Sequence, residues 1–238
     1  MQPTGAGIPE TTDIAIASDP QRRTDDQRAI LLRVAWMAIA LGLLVECIVL
    51  LIRATSGTLP GGATVLNEAL QTVSWPFLVC IGVAFGAAVI APSSTPSPAA
   101  PVSRSLALSG LLAAPAAFLI VRLLHKGTGA ALGAAGSELG LVAILLLGLI
   151  KACEYGLLGA ALERLKSGSA PTARGYAIGG LAIGLSFGSA ALLVTSLAAS
   201  PAPTTVKMIT QGINEVVVPV GCALILYASG VLGKRVPL

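Results

Sequence analysis

SELGLVAILLLGLIKACEYGLLGAALERLK, residues 137–166, is the stretch that decides the fold: an apolar run with Lys151 and Glu154 near its middle. A bilayer core is crossed by about 20 apolar residues in a helix, and this run is long enough to do so. Lys151 and Glu154 are three apart, so a helix puts them on one face, where they can pair. Ionisable side chains at that depth are costly and face a bundle interior or a watery cavity, which makes them the first candidates for function.

The rest of the chain agrees. Of its 238 residues 55% are hydrophobic and 11% charged, against about 25% charged in a soluble domain. The net charge of +4 does not indicate nucleic acid, because the basic residues fall in short segments between apolar runs and aromatic residues are too few for a base-stacking row. The lipid bilayer is the expected partner.

Residues 1–28 are polar and of mixed charge, without the basic start, short apolar core and small-residue cleavage site of a signal peptide; a disordered cytoplasmic tail is expected. Residues 29–238 read as one domain with spans at about 34–52, 64–91, 105–124, 137–165, 175–199 and 206–232. The proline-rich stretch 92–101 divides two front spans from four later ones. The fourth span, at about 29 residues, measures roughly 43 Å and must tilt or protrude, with Glu163, Arg164 and Lys166 at its aqueous end. His125 is expected in the loop after the third span.

The expected fold class is therefore all-α, a polytopic integral membrane protein built as a single bundle of six transmembrane helices. Ten of the fifteen Lys and Arg residues fall on the side of the termini and four (Arg53, Arg122, Lys126, Lys207) on the other, with Lys151 inside the membrane. That bias places both termini in the cytoplasm. The plasma (inner) membrane of a bacterium is the expected location.

Each even-numbered span begins near a polar residue followed by glutamate, at Asn67-Glu68, Ser137-Glu138 and Asn214-Glu215, and carries one cysteine further in. Repeats of this kind underlie many transport folds, and here the three hairpins would be parallel copies.

The pathway candidates are Glu46, Lys151, Glu154 and Glu215. Together with Glu68 and Glu138 they suggest an acidic outer vestibule narrowing to a Lys151/Glu154 constriction, as in a cation or proton pathway. Glu46 and Arg53, seven apart, form a candidate pair. The alternative is that Lys151 and Glu154 neutralise each other within one helix, and that Glu68 and Glu138 are helix-start residues favoured by the dipole. Pro76, Pro115 and Pro219 should kink their helices and free carbonyls that either meet a cation or are met by neighbours. Gly180, Gly184 and Gly188 recur every four residues as a ridge for close helix packing.

No metal site or cofactor is expected. Cys47, Cys80, Cys153 and Cys222 lie in spans without CxxC partners, and His125 is the only histidine. The chain has no GxSxG, HExxH or GxxxxGK[ST] motif and no paired intramembrane aspartates, so an enzyme is not the expected reading. Two classes of function remain. One is a small ion, proton or solute channel or transporter, with a homo-oligomer as one form it could take; the other is a non-catalytic membrane subunit or scaffold that packs on a partner membrane protein through the glycine ridge.

Overall fold

The computed structural model of the chain describes residues 20–90, 105–133, 139–167, 172–199 and 202–229. The tail before residue 20, the 92–101 linker, Ser137-Glu138 and residues 230–238 lie outside them. The described residues form six α-helices and no strands: α1 (Pro20–Thr55), α2 (Gly62–Ile90), α3 (Ser105–Ala131), α4 (Leu141–Ser167), α5 (Ala173–Ala198) and α6 (Thr205–Ala228). All six are long and apolar enough to cross a membrane, and the chain is a polytopic integral membrane protein.

Local chemistry sets the ends. Pro20 opens α1, where a missing N–H costs nothing, so the helix reaches back into the polar segment before the first span. Thr172 caps α5 by accepting from the Gly175 N–H at 3.2 Å, and Thr204 caps α6 by accepting from the Lys207 N–H at 3.3 Å. The expected loop at His125 is corrected: α3 runs on through it to Ala131. Thr128 holds that last stretch, donating to the Leu124 carbonyl at 2.9 Å and tying it to Asn67 of α2. At the other end of α3 the carboxylate of Glu163, on α4, accepts from the Leu106 N–H at 2.7 Å. Glu163 is thus a cap supplied by a neighbouring helix, which satisfies one of the unbonded amides of the first turn.

Consecutive helices pack side by side, α1 also meets α6 to close the ring, and α2 and α4 reach α6 across the centre. The outside is apolar: Leu112, Leu123, Leu141, Val142, Leu145, Leu193 and Leu197 are all exposed. A surface of that kind belongs against lipid rather than water.

Each hairpin closes at the same kind of crossing. A Cβ on Gly42 of α1 would lie 3.2 Å from the Thr72 carbonyl oxygen and 3.3 Å from Pro76 Cγ of α2. A Cβ on Gly184 of α5 would lie 3.1 Å from the Glu215 carbonyl oxygen and 3.3 Å from Pro219 Cγ of α6. In the middle hairpin Gly110 of α3 sits on the Tyr155 carbonyl of α4. Pro76 and Pro219 deprive the carbonyls four residues earlier, Thr72 and Glu215, of their helical N–H donors. Those carbonyls face a glycine of the neighbouring helix, where a side chain would crowd them. The first and third hairpins therefore correspond in space, but the crossing matches Thr72 to Glu215 and so stands one helical turn from the Glu68-to-Glu215 register suggested by the sequence.

A cavity ending on a buried ion cluster

A cavity of about 780 Å³ enters from the face that carries the ends of α1, α3 and α5 and the starts of α2, α4 and α6. All six helices line it, with Glu46 from α1, Trp75 from α2, Phe118 from α3, Lys151 from α4, Thr195 from α5 and Glu215 from α6. Beneath it Val79, Cys80, Tyr155, Leu158, Leu162, Cys222 and Leu226 are at most 1% exposed and close the bundle.

Lys151 is the centre of the floor. Its Nζ donates to Glu154 Oε2 at 2.6 Å, pairs with Glu215 of α6, and stands 5.6 Å from the centre of the Trp75 ring. Trp75 is itself fixed edge-on against Phe118 and Tyr155. The helix places Lys151 and Glu154 on one face, as their spacing requires, and the structure adds Glu215 as a second carboxylate from another helix. Lys151 and Glu215 are buried at the floor, and Glu154 lies fully buried behind it.

Two expectations about the charges are corrected. Arg53 does not pair with Glu46; it pairs with Glu68 of α2, because the antiparallel hairpin brings that carboxylate beside it. The vestibule is also not predominantly acidic. Among the described residues its wall holds Arg53, Arg122, Lys126, Lys207 and Lys151 against Glu46, Glu68 and Glu215, since Glu154 lies behind the wall. Charge is layered instead, with basic side chains toward the mouth and carboxylates concentrated at the floor. Arg122 is half-buried and makes no ion pair or hydrogen bond among the described residues.

The remaining candidates fall elsewhere. Pro76 and Pro219 are buried at helix crossings, Pro115 lies half-buried in α3, and all three helices continue through their prolines. Gly180, Gly184 and Gly188 are buried against α6: a Cβ would come within 2.7 Å of Val220 Cα at Gly180 and 2.8 Å of Glu215 Cβ at Gly188. The ridge thus serves a contact inside the chain and positions the Glu215 wall of the cavity. Sequence reading passes over Trp75 as a site residue, although an indole in mid-span beside a proline is a detectable signal. It also gives no reason to expect Cys80 and Cys222 to lie as buried neighbours across α2 and α6.

No protein-family model, curated protein or solved structure matches this chain. Among the described residues no group of three or more His, Cys, Asp or Glu side chains is placed to hold a metal ion.

Proposed function

We propose that the protein is a small-solute transporter that works by alternating access, with Lys151, Glu154 and Glu215 as the ionic cluster on which the solute pathway turns. The observation that supports this reading is the cavity itself. It reaches from one face to mid-bundle, is lined by every helix, and stops on buried charges above a plug of fully buried side chains. One-sided access to a central site is the form a transporter takes in one half of its cycle. A water-filled route to buried charge also accounts for the retention of ionisable residues at that depth. A subunit docking through the glycine ridge finds less support, because α6 already occupies that ridge.

In this scheme the plug between α2 and α6 is the second gate, and Cys80 and Cys222 lie in it. Mercuric ion bridges two thiols in contact, so it should hold that gate shut. In liposomes containing the purified protein, solute and ion flux across a panel of small ions and pH values should be abolished by mercuric chloride. Replacing both Cys80 and Cys222 with alanine should leave flux resistant to it. Absence of flux across the panel, or equal inhibition in the double variant, would count against the scheme.

A further inference from the structure

Glu46 is anomalous for a residue at membrane depth. It is 6% exposed, its Oε2 is buried without a hydrogen-bond partner among the described residues, and it lines the cavity. Its depth follows from the α1–α6 contact, where Gly221 packs on Leu41. At a rise of about 1.5 Å per residue, Glu46 lies roughly 7.5 Å and Glu215 roughly 9 Å from that contact toward the mouth. Glu46 therefore shares the floor with Glu215 and its partner Lys151.

Among the described residues at that level Lys151 stands alone against three carboxylates, Glu46, Glu154 and Glu215, and is already engaged by the last two. The charged groups facing Glu46 from its own helix and its neighbours do not compensate it. Arg53 is matched by Glu68 of α2, Glu215 of α6 by Lys151, and Lys207 of α6 is exposed near the mouth. An uncompensated carboxylate in such a place is costly, and a bound cation removes the cost. A second buried acceptor without a partner, Asn214 Oδ1, lines the same cavity next to Glu215.

We propose that Glu46 is the binding group for an alkali cation at the cavity floor. Its role as the coupling ion of the cycle rests on the transport reading, but its binding does not.

The test uses the purified full chain in detergent and reads the thermal midpoint in sodium, potassium or choline chloride at constant ionic strength. At about pH 8, where an ordinary carboxylate is ionised, an alkali-ion site predicts a rise of several degrees with sodium or potassium over choline. Equal midpoints in sodium, potassium and choline would overturn the proposal. Glu46→Gln should lose the dependence and sit at the midpoint of the cation-loaded protein. An undiminished response in Glu46→Gln would overturn the proposal.

A second reading uses the unaltered protein. A hydrophobic carbodiimide, which reacts with buried carboxyls, should label Glu46, and alkali ion should reduce that labelling several-fold. Labelling of Glu46 that alkali ion leaves unchanged would overturn the proposal as well. Ion-dependent stability without flux in liposomes would refute transport while leaving the site standing.

Discussion

Lys151→Ala should lower stability by about 3–5 kcal/mol, the cost of removing one partner from a buried ion cluster, and should bring flux to background. The size follows from what is left behind. Glu154, fully buried, and Glu215 share the single ammonium group, which also rests over Trp75. Without it two carboxylates face each other across α4 and α6 with nothing between them. Removing Glu154 together with Lys151 would not repair this, because Glu215 would remain unpaired. The compensating variant is Lys151→Met with Glu154→Leu and Glu215→Leu, which should recover the thermal midpoint, as apolar replacements of buried ion clusters often do. Flux should not return with it. Recovery of both would mean that the cluster is structural only, and wild-type stability in Lys151→Ala would mean that it is not formed.

Gly180→Leu should cost more than about 3 kcal/mol, beyond the usual range for overpacking, and should reduce the yield of folded protein. The obstruction is backbone: a Cβ at this position would lie 2.7 Å from Val220 Cα and 2.8 Å from the Pro219 carbonyl oxygen. No rotamer change relieves that contact, so α5 and α6 must separate. Glu215 sits a little over one turn away on the same face of contact, so the separation also shifts the carboxylate that holds Lys151. Gly179→Leu is the control. It lies next in sequence but meets only Leu165 Cδ1 at 3.7 Å, and it should leave the thermal midpoint nearly unchanged. Equal loss in the two variants would show that the ridge does not determine the crossing.

Six helices are legible in the sequence because hydropathy over some twenty residues is a strong and local signal. Lys151 with Glu154 is legible for the same reason, since a spacing of three fixes a shared helix face without knowledge of any other element. Glu215, sixty-four residues from Lys151, stands out as a candidate but cannot be assigned as its partner, because that depends on how α4 and α6 pack. Distance along one helix matches Arg53 to Glu46, whereas the hairpin offers it Glu68 at closer range. The repeat register fails similarly. Asn67-Glu68 and Asn214-Glu215 look alike as letters, but the crossings are set by glycine against carbonyl, one turn further on. His125 reads as loop because Gly127 and Gly129 follow it, and Thr128 outweighs them through its bonds to Leu124 and Asn67.

The most direct test of alternating access is the reactivity of one introduced thiol at the cavity floor toward a membrane-impermeant thiol reagent. Thr72→Cys is suited to it: the residue lines the cavity, lies at the level of Gly42, and differs little in size from cysteine. Alanine would replace Cys47 and Cys153 in the same variant, leaving the native Cys80 and Cys222 buried in the plug. In vesicles of defined orientation the introduced thiol should be labelled from the face onto which the cavity opens. When transported solute is present it should be labelled from the opposite face too. Labelling confined to one face under every condition that supports flux, or absent from both, would contradict the account.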